Sequence, residues 1–305
     1  MTRTLCSVAL LAFVLAVLVA APTAGQVPST DIYLAPIVDT ADGVALGEPA
    51  NLTNREGYDN QPAFSPDGGT IYYTSERDGQ TDLYALDLES KTARQVTDTP
   101  ESEYSPTPIP GEDALSTVRV EADEKQRLWR FPLDGGTPSR ILDAAEPVGY
   151  HAWSGDELVL FVLGEPHELR RATSEKPADP GRQVATDIGR ALHKIPGKDA
   201  FSFVHKAAGE QDGDEDGETT WWVKSITVDG DTIEPLVETF ADREDLAWSP
   251  DGMLWMADGT TIHRWCPACG EGFWQVADFA EVGLGEITRL AVSPDGKWLA
   301  FVVAR

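Results

Sequence analysis

The sequence predicts an all-β protein with the architecture of a six-bladed β-propeller. Three observations carry this prediction. One tetrapeptide recurs, degenerate copies of it fill the gaps at regular spacing, and the last repeat is completed by residues from the other end of the chain. Internal repetition with a period of about 40 to 50 residues is typical of propeller blades, each of which is a four-stranded sheet.

The recurring tetrapeptide is Ser-Pro-Asp-Gly, which begins at Ser65, Ser249 and Ser293. An apolar residue precedes each copy, and an apolar, strand-like run follows it. Proline presets φ, aspartate accepts hydrogen bonds from the backbone of its own turn, and glycine adopts positive φ without strain. Each copy therefore predicts a strand, a tight turn and a second strand.

Degenerate copies occupy Ile109–Asp113, Trp153–Asp156 and Ile195–Asp199. The steps between positions 65, 109, 154, 195, 249 and 293 are 44, 45, 41, 54 and 44 residues. These steps fit six blades, and the longest of them indicates an insertion in the fourth blade.

Two further strands are predicted in each blade. In the first repeat they are Asp82–Leu88, which alternates polar and apolar residues, and Ala93–Thr97. Third strands recur at Leu128–Leu133, Trp221–Val228 and Ile262–Trp265.

The last repeat stops at Arg305, directly after its second strand. Thr30–Ile37 resembles the third strand of the first repeat, and Ala50–Asn54 resembles its fourth strand. We therefore expect the N-terminal strands to complete the C-terminal blade, which closes the ring and removes its open sheet edges.

The first residues have the pattern of a secretory signal peptide. Arg3 precedes an uncharged, mostly apolar run over residues 5–21, and small residues follow it. This pattern predicts a signal peptide over residues 1–25 and a propeller over residues 26–305. We expect a periplasmic or secreted protein that is released after cleavage, with no membrane insertion.

The chain is strongly acidic, with 51 Asp and Glu residues against 24 Lys and Arg residues and a formal net charge of −27. Such a surface repels phosphate backbones, so a nucleic-acid partner is not expected. The same composition is typical of proteins that stay hydrated in brine, which explains the charge without any function. We expect a monomer.

The repeat resembles the WD40-like PD40 repeat of TolB-like propellers. The shared pattern is apolar-Ser-Pro-Asp-Gly, an apolar strand, Ser-x-Arg-x-Gly at residues 75–79, Asp-Leu-Tyr at residues 82–84, and a strand that ends in Val-Thr or Leu-Thr. The resemblance implies a six-bladed propeller that acts as a protein- or peptide-binding module of the cell envelope.

Two features of TolB and related proteins have no counterpart in this sequence. The stretch between the predicted signal peptide and the first strand is too short for the α/β domain that precedes the TolB propeller, so a full role in the Tol-Pal system is not expected. Peptidases with a similar propeller carry a Gly-x-Ser-x-Gly nucleophile elbow, which is not present.

A binding site is expected where the inner strands of the blades enter the central channel. Counting four and five residues back from each aligned turn predicts a ring of polar and aromatic side chains at the channel mouth. We predict that the binding residues are Asn60, Gln61, Tyr104, Ser105, Tyr150, Arg190, Glu244, Asp245 and Arg289. The alternative is that these are ordinary solvated loop residues.

An enzymatic hypothesis also depends on the channel. His151 and His193 precede the aligned turns of neighbouring blades and could hold a metal ion with Glu244 or Asp245, as in propeller lyases of pectin fragments. The chain would then be a metal-dependent lyase or hydrolase acting on a small glycan or ester. No spacing motif links the two histidines, so a binding module is favoured over an enzyme.

The insertion in the fourth blade is acidic and allows one cofactor hypothesis, a calcium ion. Asp212, Asp214 and Asp216 alternate ahead of a glycine, as in the first half of a calcium loop, and Glu218 could complete the ligand set. The position at which an EF-hand needs a bidentate glutamate is Val223. The alternative is a solvated acidic loop.

Cys266 and Cys269 form a Cys-x-x-Cys pair between two predicted strands. Such a pair can be a redox centre, half of a zinc site or a local disulfide. Because the pair lies in a turn and an oxidising compartment is expected, a disulfide that links the two ends of the turn is favoured.

Overall fold

The computed structural model describes residues 28–41, 43–206, 221–270 and 272–305. These residues form six antiparallel sheets that follow one another around a central axis, which confirms the predicted six-bladed propeller. No helix in this part of the chain is long and apolar enough to span a bilayer.

The blades have the following strands, given from the channel outwards. The first blade has β4 (Asp59–Phe64), β5 (Thr70–Arg77), β6 (Gln80–Asp87) and β7 (Ala93–Gln95). The second has β8 (Ser102–Pro108), β9 (Ala114–Val120), β10 (Gln126–Pro132) and β11 (Ser139–Arg140). The third has β12 (Val148–Ser154), β13 (Glu157–Val162), β14 (Glu168–Thr173) and β15 (Arg182–Thr186).

The other three blades follow in the same order. The fourth has β16 (Ile188–Lys194), β17 (Ala200–His205), β18 (Trp222–Thr227) and β19 (Ile233–Glu238). The fifth has β20 (Leu246–Trp248), β21 (Leu254–Asp258), β22 (Thr261–Trp265) and β23 (Trp274–Asp278). The sixth has β24 (Ile287–Val292), β25 (Trp298–Ala304), β1 (Thr30–Thr40), β2 (Gly43–Leu46) and β3 (Ala50–Asn51).

The Ser-Pro-Asp-Gly segments form the turns between the first and second strands of their blades. The Ser65 hydroxyl donates to Asp67 Oδ1 at 2.6 Å, and Gly68 has a φ of 75°. The Ser293 hydroxyl donates to Asp295 Oδ1 at 2.7 Å in the same way. These hydrogen bonds hold the pKa of the Asp67 and Asp295 carboxyls below their ordinary value. The tetrapeptide therefore recurs because each residue has a role in one turn.

The Asp-Leu-Tyr and Val-Thr segments are joined by a second repeated contact. The Thr97 hydroxyl donates to Asp82 Oδ1 at 3.2 Å and accepts at 2.8 Å from the backbone amide that follows this aspartate. Thr53 and Asp31 repeat the arrangement in the sixth blade, at 3.2 and 3.1 Å. The threonine thus attaches the short outer strand to the third strand of its blade.

The N-terminal strands complete the sixth blade, as the sequence predicts. β1 pairs antiparallel with β25 from Thr30↔Ala304 to Pro36↔Trp298, and β3 pairs with β1. The buried Asp31 carboxylate accepts a hydrogen bond from Arg305 Nε at 2.6 Å, so a salt bridge joins the first and last strands.

The β1–β2 hairpin is a feature that the sequence analysis does not predict. β1 continues beyond residue 37 to Thr40 and pairs with β2 through the register Ile37↔Leu46 to Thr40↔Gly43. The hairpin extends the sixth blade until β2 contacts β23 of the fifth. Val38, in the extension, is 46% exposed.

The hydrophobic core lies between neighbouring blades. Between the fifth and sixth blades, Trp255, Phe279 and Phe301 are buried in one cluster. Indole groups also donate across blade boundaries: Trp153 Nε1 lies 2.8 Å from Ser116 Oγ, and Trp248 Nε1 lies 2.8 Å from Ser202 Oγ. These two hydrogen bonds satisfy buried indole N–H groups and position β12 and β20 against the preceding blades.

Candidate functional site at the channel mouth

The central channel contains a cavity of about 390 Å³. All six blades contribute to its wall through their inner strands and the residues next to them. The wall consists of residues 61–63, 105–108, 110, 150–153, 190–194, 245–248 and 289–292.

Six of the nine predicted binding residues line this cavity. They are Gln61, Ser105, Tyr150, Arg190, Asp245 and Arg289, one from each blade. The residues counted back from the repeated turns therefore include one residue of the cavity wall from each blade.

The other three predicted binding residues, Asn60, Tyr104 and Glu244, are not among the residues that line this cavity. Asn60 is 7% exposed, and its amide nitrogen lies 3.4 Å from Thr30 Oγ1. Tyr104 packs against the core cluster between the second and third blades. Glu244 lies behind the wall and contacts Arg190.

Irregularities in the inner strands explain why adjacent residues differ in this way. The pairing register shifts between Asn60 and Ala63, between Tyr104 and Thr107, and between Thr288 and Ala291. Gln61, Ser105 and Arg289 lie within these shifts and have φ values of 57°, 56° and 51°. A bulge of this kind re-aims a side chain, and here it separates the wall residue from the residue before it.

The fourth and fifth blades supply an ion-pair network to the mouth. Arg190 Nη2 and Nε lie 2.7 and 3.2 Å from the two carboxylate oxygens of Asp245. Glu244 Oε2 accepts from the Arg190 backbone amide at 2.8 Å and lies 3.1 Å from Lys206 Nζ. Gly189 permits this approach, because a Cβ atom there would lie 2.5 Å from Glu244 Oε2.

Arg289 of the sixth blade reaches across the channel to Tyr150 of the third. Arg289 Nη2 donates to the Tyr150 hydroxyl at 2.8 Å, and its Cζ atom lies 5.0 Å from the centre of the tyrosine ring. The third and sixth blades are opposite each other in a six-membered ring, so this hydrogen bond spans the mouth.

The Asp245 carboxylate is stabilised in its charged form. Burial raises the pKa of Asp245, but the positive charges of Arg289 and Arg190 and the hydrogen bonds from Arg190 outweigh burial, so the pKa lies below its ordinary value. Burial also works against the charge of Arg190, whose pKa is nevertheless raised by Asp245 and Glu244. These groups remain ionised at neutral pH.

The first and second blades supply a neutral half of the mouth. Gln61 Oε1 accepts from the Thr74 hydroxyl at 2.8 Å and from the Ser105 backbone amide at 2.8 Å. The mouth is therefore polar and uncharged on one side and ionic on the other.

Tyr58 is a neighbour of this site that the sequence analysis misses. Burial raises the pKa of its phenol to about 12. The positive charge of Arg289 opposes this rise, whereas Tyr150 and Tyr104 add to it. Tyr58 directly precedes β4, two positions outside the residues counted back from the turn, so a wider count would have included it.

The structure places the two histidines predicted to bind a metal, His151 and His193, in different surroundings. His151 is buried, and its Nε2 atom lies 2.6 Å from Ser116 Oγ. Burial lowers the pKa of His151 to about 3 and that of His193 to about 4, so both are neutral at pH 7. Across the described ranges, no three His, Cys, Asp or Glu side chains lie close enough together to hold a metal ion. This arrangement does not fit the predicted set of His151 and His193 with Glu244 or Asp245.

The predicted calcium ligands Asp212, Asp214, Asp216 and Glu218 lie outside the described residues. Cys266 and Cys269 are joined by a disulfide in the turn that follows β22, with Cα atoms 5.2 Å apart. The neighbouring Pro267 and Gly270 line a second cavity of about 790 Å³ on the outside of the fourth and fifth blades.

Known sequences match only part of this chain. No protein-family model matches the chain. An uncharacterized protein of Agrobacterium fabrum is 29% identical over 104 residues, which are 32% of this chain and 36% of the relative. The match thus spans about a third of either protein.

Solved structures are similar over most of the chain. A protein of Agrobacterium tumefaciens assigned as TolB has a TM-score of 0.69 at 15% identity, with 92% of this chain and 99% of that chain covered. TolB from Acinetobacter baumannii has a TM-score of 0.57 at 14% identity, with 90% and 64% covered. An oligogalacturonate lyase in complex with manganese has a TM-score of 0.55 at 15% identity, with 87% and 84% covered.

Both a TolB protein and a lyase share this architecture, and identities of 14 to 15% show a common fold and nothing about function. An inference about function has to be drawn from the residues of this chain at the channel. The six antiparallel blades of four or five strands, the closure by N-terminal strands and these similarities together show that the chain has the TolB-like six-bladed β-propeller fold.

Proposed function

We propose that the chain is a monomeric binding module of the cell envelope, which takes a peptide segment of another envelope protein into the mouth of its central channel. The observation that carries the proposal is the cavity of about 390 Å³, with one polar mouth residue from each of the six blades. The predicted signal peptide and the resemblance to TolB-like propellers support the location.

The composition of the cavity wall supports a peptide ligand. Below the ring of polar side chains, the wall includes apolar residues such as Leu192, Leu246, Leu290 and Val292. A concave apolar site with a few fixed polar groups is typical of ligand-binding pockets, and its volume lies in their range of roughly 300 to 1,000 Å³. An extended segment could place apolar side chains in the channel and hydrogen-bond at the mouth.

The lyase hypothesis receives no comparable support from the described residues. Its fold similarity is of the same kind as that to TolB, and His151 and His193 do not belong to a group of three metal-ligand side chains there. Binding at the channel mouth therefore remains the proposal, and lyase activity is measured as an alternative outcome.

The test is selection of peptides from a random phage-displayed library on the protein comprising residues 26–305. Enriched peptides are synthesised, and their affinity is measured by fluorescence anisotropy. Ala63 is half-buried in the cavity wall, so Ala63→Phe narrows the channel. Ala93→Phe, at an exposed position of the outer strand β7 in the same blade, is the matched control.

We expect enriched peptides to bind the parent and Ala93→Phe equally and to bind Ala63→Phe at least tenfold more weakly, since about 1.4 kcal/mol corresponds to tenfold. Two results would overturn the proposal: a library without enriched peptides, or peptides that bind Ala63→Phe as tightly as the parent. Release of unsaturated product from oligogalacturonate with manganese, abolished by Ala63→Phe, would instead establish the lyase.

A further inference from the structure

Arg289 is a cation with a neutral hydrogen-bond partner. A guanidinium carries five N–H donors. Among the described residues, the Arg289 side chain makes one hydrogen bond, to the Tyr150 hydroxyl, and its nearest carboxylate oxygen, Asp245 Oδ1, is 3.9 Å from Nε. The side chain is 18% exposed, at the edge of the cavity.

Asp245 is engaged mainly by Arg190 and lies farther from Arg289. Both of its carboxylate oxygens already accept hydrogen bonds from the Arg190 guanidinium, at 2.7 and 3.2 Å. A paired arrangement of this kind is the stronger of the two contacts. Arg289 therefore keeps donors that a second carboxylate could use.

Among the described residues, the ion-pair network at the mouth has an excess of positive charge. It comprises three cations, Arg190, Lys206 and Arg289, and two carboxylates, Glu244 and Asp245, which leaves one positive charge in this network. The whole chain has a formal charge of −27, so this excess is local. One uncompensated charge matches a monoanion such as a carboxylate better than a doubly charged phosphate.

We infer that Arg289 binds a carboxylate of the ligand, with the Tyr150 phenol displaced as its partner and the adjoining apolar part of the ligand in the channel. As far as the ligand is a peptide, the inference rests on the proposed function. The carboxylate comes either from an acidic side chain or from the C-terminus of the segment. Its hydrogen bonds to Arg289 are strengthened because the cavity is partly shielded from water.

Four small probes test the inference without a known ligand. N-acetyl-leucine carries a terminal carboxylate, and N-acetyl-leucinamide has the same shape with a neutral amide. N-acetyl-aspartic acid α-amide carries a side-chain carboxylate, and N-acetyl-asparagine amide is its neutral counterpart. Dissociation constants are measured by isothermal titration calorimetry, and the Arg289 side-chain resonances are followed by NMR.

The variants separate charge recognition from structural effects. Arg289→Gln removes the cation but keeps a polar side chain. Tyr150→Phe removes the phenol that competes for Arg289 and keeps the ring, whose centre lies 5.0 Å from the Arg289 Cζ atom. Arg94→Gln, on the exposed outer strand β7, is the control for loss of a positive charge elsewhere.

At least one acid should bind the parent about tenfold more tightly than its neutral amide, since hydrogen bonds to charged groups are worth more than neutral ones. This preference should disappear in Arg289→Gln, persist in Arg94→Gln and increase severalfold in Tyr150→Phe. Which acid binds identifies the source of the carboxylate. An increase in affinity in Tyr150→Phe is not expected from a merely structural tyrosine.

Equal binding of acid and amide, no binding of either acid at its solubility limit, or a preference that persists in Arg289→Gln would overturn the inference. These results are independent of the peptide selection. Peptides that bind without regard to carboxylates would leave the binding module in place and remove this inference. Acids that bind through Arg289 while no peptide is enriched would support the carboxylate site and overturn the peptide-binding module.

Discussion

Glu103 is a fully buried carboxyl group at the start of β8, between the first and second blades. The Thr99 hydroxyl donates to its Oε1 atom at 2.6 Å, and Arg119 Nε lies 3.3 Å away. Burial raises the pKa of Glu103 to about 7 in spite of these two groups, and the nearby Asp82, whose own pKa is raised by burial, contributes in the same direction. At neutral pH, Glu103 is therefore protonated in about half of the folded molecules, whereas in the unfolded chain it is ionised.

This residue predicts a pH dependence of stability. A carboxyl group with a raised pKa binds more protons in the folded state, so its contribution to the free energy of unfolding is largest at low pH and is lost as the pH rises to about 7. Glutamine does not titrate, so the Glu103→Gln variant does not lose this contribution to the free energy of unfolding as the pH rises. Urea unfolding between about pH 5 and about pH 8 should show the variant gaining stability relative to the parent with rising pH, by about 3 kcal/mol at most.

Glu101→Gln is the matched control, because Glu101 pairs with the same arginine, Arg119, and its side chain is partly exposed. Its difference in stability from the parent should stay constant over this pH range. A constant difference for Glu103→Gln as well would contradict the assignment of the proton to Glu103.

The residues of the mouth show which parts of the candidate site could be predicted by counting from the repeated turns. Tyr150, Asp245 and Arg289 could be predicted because the repeated turn sets the distance to the channel. Glu244 could not be separated from Asp245 in this way, since the sequence does not reveal which of two adjacent acids faces the cavity. The Arg289–Tyr150 hydrogen bond could not be predicted either, because it joins residues 139 positions apart across the ring.

Among the elements, β1 has a central role because it closes the ring. Its Asp31 is buried and accepts hydrogen bonds from Asn51 Nδ2 at 2.8 Å, the Arg55 backbone amide at 3.2 Å and Arg305 Nε at 2.6 Å. One carboxylate thus connects β1 with β3, with the loop to the first blade and with the end of β25.

Asp31→Ala should therefore destabilise the fold by about 3 kcal/mol, since it removes a buried charged acceptor that several hydrogen bonds share. Asp39→Ala, at an exposed position near the end of the same strand, should have little effect. The measurement is the free energy of unfolding in urea. Similar losses for both variants would show that Asp31 does not contribute to closure beyond an ordinary surface aspartate.

Removal of residues 30–54 tests the closure as a whole. The deletion leaves β25 and the inner face of β4 without their neighbour and exposes the edge of the sixth blade. We expect no soluble, cooperatively unfolding protein, as measured by size-exclusion chromatography and thermal unfolding. A deleted protein that melts as the parent does would disprove the structural role of β1.

The strands of the blades were predictable, because alternating apolar residues and Pro-Asp-Gly turns determine them locally. The β1–β2 hairpin was not predicted, because it lacks the proline of the repeated turn; the Asp-Gly pair at residues 42–43 is the signal that could have found it. The shifts of register at the mouth were also unpredictable, because Gln61, Ser105 and Arg289 adopt positive φ without being glycine.

On the scale of the whole molecule, negative charge dominates the surface. The formal charge is −27, because the chain has 51 acidic residues against 24 Lys and Arg residues. Mutual repulsion of these charges destabilises the folded state, and salt screens it with a Debye length of about 10 Å at 0.1 M.

The melting temperature should accordingly rise as potassium chloride is added, most steeply at low concentration, as measured by differential scanning calorimetry. Sucrose at matched osmolality serves as the uncharged control and should give a smaller rise at low concentration. A melting temperature that is independent of salt would mean that pairs such as Arg190–Asp245 already balance the repulsion.

The pairing of β1 with β25 also sets an order of folding. The salt bridge between Asp31 and Arg305 joins residues 274 positions apart, so the strand that emerges first during synthesis has to wait for the strand that emerges last. Contacts of such long range form slowly, and the early blades must persist in an open arc until the final residues arrive. The same delay leaves the edge of β25 without its partner until β1 docks, and an unpaired strand edge of this kind can pair with a second chain instead.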